Sequence, residues 1–276
     1  MSSRAESISK TFIWRRVHSL MGLGLVFYLI IHLIVNSQAT LWLGDDGIGF
    51  VRLVNLLESL PFLQVIEIVF IGIPLVVHAY WGVRRIFTSK VNVQKGAGDK
   101  PSLGYGRNRA YTWQRLSSWI LLFGIIGHVV QMRFVEMPKK VEIGNQKQFL
   151  VKVDHDEGLD SLVERIHVKF LPNGGDYFSL LPGQVVVAGS TPGKAMLLMV
   201  RETFKSVTMC ILYSVFVLAA AFHAFNGLWT SLITWGVILS YRSQKAMIPI
   251  CWAGCVTLSF LGLAAIWGSY FINLRS

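Results

Sequence analysis

Acidic residues are scarce in this sequence. Asp and Glu number 15 against 26 Lys and Arg, for a net charge of +11 over 276 residues. Cysteine is scarcer still: Cys210, Cys251 and Cys255 form no Cys-x-x-Cys pair, so an iron–sulfur cluster or a covalently attached haem has no ligands here. All three lie in apolar stretches, where small packing residues are the plain reading. A glycine-rich flavin fingerprint is also lacking, which excludes flavin chemistry from this chain. Basic charge in a soluble protein would point to nucleic acid. Here the basic residues cluster between apolar segments rather than on one face, so no nucleic acid is expected.

What is abundant is apolar sequence. Apolar residues make up 53% of the chain, and mean hydropathy is +0.51, values of an integral membrane protein. Five runs are long enough to cross a bilayer as helices, at about 17–37, 62–83, 112–133, 205–230 and 247–272. The first is too long for a signal-peptide core and lacks a small-residue cleavage site, so it is expected to stay. Pro61 is a natural start for the second. Residues 134–204 differ in kind, with mixed charge, several Gly and Pro, and the run Gln184-Val185-Val186-Val187. They read as a small folded insertion outside the membrane, containing strand. Residues 38–61 read as a loop, and the fourth span is expected to continue or bend through Trp235 to Leu239. The expected class is all-α: an integral membrane five-helix transmembrane bundle with a four-helix core and a small extramembrane insertion between the third and fourth spans.

Charge sets the expected orientation. The N-terminal arm, the 84–111 stretch (Arg84, Arg85, Lys90, Lys95, Lys100, Arg107 and Arg109 against Asp99) and the 241–245 turn are basic. All fall on one side of a five-helix path. The positive-inside rule puts them and the N-terminus in the cytoplasm, and the 134–204 insertion and C-terminus outside.

Four spans each carry a histidine. Two of them sit in nearly repeated phrases, Val77-His78-Ala79-Tyr80-Trp81-Gly82 and Phe222-His223-Ala224-Phe225-Asn226-Gly227, and the others in Ile31-His32-Leu33 and Gly127-His128-Val129. A lone intramembrane histidine is commonly a packing residue, but it is costly in lipid, and four in related pairs point to function. Depth decides the partners. His78 lies six residues before Arg84, about 9 Å from the inner end of its helix, and His223 lies 18 residues past Lys205, about 27 Å from its outer end. His32 and His128 lie about 24 and 20 Å from their inner ends. His78 is therefore expected to pair with His223, and His32 with His128, as ligands of two b-type haems. Bis-histidine ligation leaves no open position for oxygen chemistry and suits electron transfer. Gly22, Gly24, Gly72, Gly82, Gly124, Gly127 and Gly227 would let helices or a flat macrocycle approach closely.

Propionates need donors near the membrane faces. His18 and Gln114 each precede a ligand by 14 residues, so with Arg15, Arg16, Ser19 and Arg115 they are candidate propionate or partner contacts. Interfacial anchoring of helix ends explains any one of them equally well. Glu58, just before the second span, is the leading candidate for a proton donor, with Glu67 second.

Several phrases carry a family resemblance: Arg15-Arg16-Val17-His18-Ser19-Leu20, Leu57-Glu58-Ser59-Leu60-Pro61-Phe62, His223-Ala224-Phe225-Asn226-Gly227-Leu228-Trp229, and Thr234-Trp235-Gly236 followed by Arg242-Ser243-Gln244. Across all five spans the chain resembles the single-chain, two-haem cytochrome b membrane anchor of succinate dehydrogenase and fumarate reductase, and most of all the cytochrome b558 branch. The 134–204 insertion departs from the shorter loop usual there. The resemblance implies a bacterial cytoplasmic membrane, and an iron–sulfur subunit and a flavoprotein subunit as partners, docked on the 84–111 side. It implies a proximal haem at His78 and His223, a distal haem at His32 and His128, and quinone, often menaquinone, as electron acceptor. A cytochrome b anchor of hydrogenase or formate dehydrogenase would use the same four-histidine logic. A histidine-using ion-coupled transporter would need acids near mid-membrane, and Glu67, near a span end, is the only candidate.

Overall fold

A computed structural model describes residues 9–41, 45–88, 106–172 and 174–274. Most of the basic stretch between the second and third spans, including Lys90, Lys95, Asp99 and Lys100, lies outside the described residues. So does the expected docking surface on it.

Five helices among the described residues are long and apolar enough to cross a membrane: Lys10–Ser37, Leu63–Arg85, Arg109–Val135, Val207–Thr234 and Tyr241–Ile272. The chain is of the all-α membrane class, a multi-pass protein. At 1.5 Å per residue the first helix, α1 (Lys10–Ser37, 28 residues), is about 42 Å long and overruns a hydrocarbon core of about 30 Å. Large apolar side chains stand exposed along these helices, among them Phe27, Val76, Phe123 and Phe260. In lipid that is the satisfied state, because only the backbone needs internal partners and the helix supplies them.

The remaining helices and strands follow in chain order. A short helix, α2 (Ile48–Glu58), lies inside the stretch expected to be a loop. Its buried residues Phe50, Val51 and Val54 recur at helical spacing, which gives it a short apolar face to pack. The second span comprises α3 (Leu63–Glu67), a π-helical segment (Ile68–Gly72) and α4 (Ile73–Thr88). The third is α5 (Gly106–Val129), which widens into a second π-helical segment over Val130–Val135. The insertion supplies β1 (Lys139–Ile143), β2 (Gln146–Asp154), α6 (Glu157–Arg165), β3 (Lys169–Phe170), β4 (Gln184–Gly189) and α7 (Pro192–Thr203). The fourth and fifth spans are α8 (Val207–Thr234) and α9 (Tyr241–Leu274). α8 stops at Thr234 and does not run on to Leu239; Gly236, at a φ of 75°, turns the chain there.

Two compact units divide these elements. One comprises Met1–Leu29, Gln64–Leu122 and Ala219–Val256, and the other Ile30–Leu63, Phe123–Leu218 and Thr257–Ser276. The second holds the insertion, whose four antiparallel strands lie in the order β1-β2-β4-β3. Leu150 pairs with Ala188 and Val151 with Val187, so alternate residues face opposite sides of the sheet. Val151, Val153 and Val187 pack with Leu159, Leu162, Leu198 and Met199 of the two helices. Leu150, Val186 and Ala188 pack on the other side with Tyr177 and Phe178. Both faces are covered, which is why β4 reads as an unbroken valine run rather than an alternation.

Local chemistry fixes the joints of the insertion. Gly144 and Asn145, both at positive φ (56° and 62°), make the two-residue turn between β1 and β2. Asp156 caps α6 by accepting the Leu159 amide at 2.7 Å. α7 lies directly on α2: the Gly193 amide donates to Asn55 Oδ1 at 2.9 Å, and a Cβ at Gly193 would meet the Val51 carbonyl oxygen at 2.5 Å. Arg165 shares its one Nε–H between both carboxylate oxygens of Asp46, each at 2.9 Å.

Candidate functional site: two histidine pairs

In the first unit, His78 of α4 and His223 of α8 face each other with ring centroids 6.2 Å apart. In the second, His32 of α1 and His128 of α5 do so at 5.9 Å. Both separations also fall in the range of ordinary edge-on aromatic contacts, so spacing alone does not decide their purpose. A first-row metal held between two imidazole nitrogens at bonds of about 2.0 Å would put the centroids roughly 6 Å apart. The hydrogen bonds at the far ring nitrogens are more telling.

His78 Nδ1 lies 3.0 Å from the carbonyl oxygen of His18. A carbonyl only accepts, so Nδ1 carries the proton and Nε2 the lone pair. His223 Nδ1 lies 3.2 Å from Ser117 Oγ. That hydroxyl gives its one proton to the Gln114 carbonyl at 3.0 Å, so it accepts from His223 Nδ1–H, and again Nε2 is left bare. His128 Nδ1 lies 3.3 Å from the Tyr213 hydroxyl. These three imidazoles are anchored at one nitrogen and offer the other as a ligand, the arrangement that orients metal-binding histidines.

Glycines let rings pack closely beside both pairs. A Cβ at Gly22 would come within 2.9 Å of His78 Cε1. Beside the other pair, a Cβ at Gly124 would strike the ring of Phe216 at 2.5 Å, and that ring lies 5.9 Å from His128. Neutral nitrogen donors, anchored rings and close-approach glycines together fit two bis-imidazole haem sites.

The other sequence-derived candidates sort by unit. His18 stacks on His78, centroids 3.9 Å apart at 11°, and its Nδ1 is buried without a protein partner. Ser19 Oγ donates to Ser231 Oγ at 2.9 Å and accepts from Trp235 Nε1 at 3.1 Å. Gln114 donates to the His223 carbonyl at 3.2 Å and accepts from Asn226 at 2.7 Å. So His18, Ser19 and Gln114 gather around the His78–His223 pair. Arg115 lies over Tyr111 and Arg16 over Phe12, while Trp14 stacks on Trp81. Basic and aromatic residues at span ends are membrane-interface anchors. Arg15 has no described contact to either pair. Glu58 closes α2, half-buried, and Glu67 closes α3 at the edge of a π segment.

Ser117, Tyr213 and Gln131 were not singled out from sequence. Their signal was available: each is a hydrogen-bonding group inside an apolar span, where such groups call for a partner.

No family model matches the chain. A curated relative does: over 259 residues the chain is 29% identical to the succinate dehydrogenase cytochrome b558 subunit of Bacillus subtilis (strain 168), covering 94% of this chain and 96% of the relative. The likeness runs the length of both chains and bears out the resemblance drawn from the motifs.

Proposed function

We propose that this chain is the membrane anchor of a succinate dehydrogenase of the cytochrome b558 kind, and the electron conduit of a succinate:quinone oxidoreductase. It holds two b-type haems, one by His78 and His223 and the other by His32 and His128. It carries electrons from a cytoplasmic iron–sulfur subunit, itself fed by a flavoprotein subunit, to membrane quinone, and menaquinone is the quinone favoured. The observation that carries the reading is the anchoring of three of the four histidines at Nδ1, which leaves the lone pair on Nε2 of each.

Each residue then has a physical task. His18, through its carbonyl, and Ser117 hold the tautomers of His78 and His223. The buried His18 ring nitrogen offers a donor to a propionate. Glu58 is proposed to deliver protons to reduced quinone. A haem held by His78 and His223, or by His32 and His128, would supply a one-electron carrier. Dicarboxylate chemistry belongs to the partner subunits.

The test is a reduced-minus-oxidised visible spectrum with pyridine haemochrome quantitation on the purified chain. Two b-type haems are expected, one lost on replacing His78 or His223 and the other on replacing His32 or His128. A well-folded, haem-free chain overturns the proposal.

A further inference from the structure

We propose that Glu136 is a positioning residue for the His32–His128 pair, acting through Gln131 and Tyr213 to fix the tautomer and the donor strength of His128. The proposal rests on the reading of that pair as haem ligands.

Four side chains form one continuous hydrogen-bonded line. Glu136 Oε1 accepts from Gln131 Nε2 at 2.7 Å. Tyr213 donates its hydroxyl proton to Gln131 Oε1 at 3.0 Å. His128 Nδ1 lies 3.3 Å from that same hydroxyl oxygen. The far carboxylate oxygen of Glu136 accepts from Thr203 Oγ1 at 2.8 Å.

The direction of every bond follows from the carboxylate. A carboxylate accepts only, so the Gln131 amide must turn its NH2 toward Glu136 and its oxygen toward Tyr213. With that oxygen accepting, the tyrosine proton points at Gln131, and the phenol oxygen is left to accept from His128 Nδ1–H. Nε2 of His128 is thereby left without a proton and turned into a ligand. Reverse the amide and the order collapses: two NH2 protons would face a tyrosine hydroxyl that must then donate back toward His128. Glu136 is the one member of the line that cannot play both roles, so it sets the sense for the rest.

The line also transmits charge. A carboxylate drawing on the amide N–H makes the amide oxygen a better acceptor, and each bond strengthens the next. At its end the imidazole becomes a stronger electron donor, which favours the oxidised iron and lowers its potential. The backbone is built for this reach. The π-helical segment Val130–Val135 carries Gln131, and the Glu136 amide closes it on the Gln131 carbonyl at 2.8 Å, so both ends of the Gln131–Glu136 bond are held by one turn. Thr203, buried at the end of α7, steadies the carboxylate from the insertion.

The experiment is a potentiometric titration of the full-length haem-loaded chain, with the haem of this pair identified as the one lost in a His128 variant. Glu136→Gln removes the charge and keeps an acceptor for Gln131. Gln131→Leu breaks the line with the charge in place, and Tyr213→Phe removes the contact to His128. Each is expected to raise the potential of this haem, by the order of a tenfold change in its reduced-to-oxidised ratio, about 59 mV for one electron. Haem content should hold in Glu136→Gln and Gln131→Leu, which leave the His128 contact in place, and the other haem's potential should hold in all three. A shift in Tyr213→Phe with none in Glu136→Gln and Gln131→Leu overturns the proposal, as does an equal shift of both haems. If Glu136→Gln does not accumulate, Gln131→Leu carries the test. Failure of the haem reading itself is visible separately, as a wild-type chain that lacks the haem assigned to this pair.

Discussion

Add one methyl group at Gly22. The new Cβ would sit 2.9 Å from His78 Cε1 and 3.1 Å from Nδ1, against an ordinary carbon–carbon contact of about 3.5–4.0 Å. The His78 ring must therefore retreat by roughly 0.6 Å or more. It cannot do so freely, because its Nδ1 is tied to the His18 carbonyl at 3.0 Å and its face is stacked on the His18 ring at 3.9 Å. Overpacking of this kind costs about 1–3 kcal/mol, which corresponds to roughly 5- to 150-fold weaker retention of a group bound through that ring. Gly24 is the internal control, one half-turn further along the same helix, since a Cβ there meets nothing within 4 Å. The assay is the haem-to-protein ratio after detergent washing, read with the reduced-minus-oxidised spectrum. Gly22→Ala should lose one haem, the one also lost in His223 variants, and Gly24→Ala should keep both. Full haem retention in Gly22→Ala, or equal damage from Gly24→Ala, would refute the argument.

Two further outcomes follow from the contacts described. Ser117→Ala removes the acceptor of His223 Nδ1–H, and loss of such an outer partner should weaken haem retention at the His78–His223 pair by about 10- to 100-fold, as read in an apo-protein titration with haem. The insertion should lose stability in acid through Asp156. Burial works against its charge, but the Lys205 ammonium, the Leu159 amide and Arg201 outweigh this and hold its carboxyl below the ordinary range. Its contribution is thus present above the ordinary carboxylate value and disappears as pH falls through the lowered one. Hydrogen exchange of α6 amides against pH should show the loss beginning at higher pH in Lys205→Met; an unchanged profile would exclude the pair as the cause.

Much of this was legible in the sequence because membrane spans and their histidines announce themselves by composition. An 18-residue apolar run needs no partner to be recognised, and the repeated His-Ala-aromatic phrase marks His78 and His223 without a structure. What stayed hidden depends on helix rotation. Ser117 and Tyr213 reach their histidines only because α5 and α8 present particular edges to each other, and spacing within one helix carries no information about the angle between two. The helix α2 was hidden for a different reason. Its apolar face is short, and it is ordered by α7, whose Gly193 lies 138 residues further along the chain. The order of strands in the insertion is likewise a property of pairing, not of any single strand.

The π-helical turn at Val130–Val135 has a consequence for how related chains should be compared. An i to i+5 turn houses one residue more than the i to i+4 turn it replaces, so the register of everything after it is shifted against that of an unbroken α-helix. A relative that lacks the wide turn would hold its equivalent of Glu136 one residue nearer its histidine. A single-residue gap placed between His128 and Glu136 would align such a pair correctly, and a search demanding fixed spacing would report the acid as missing from a chain that has it.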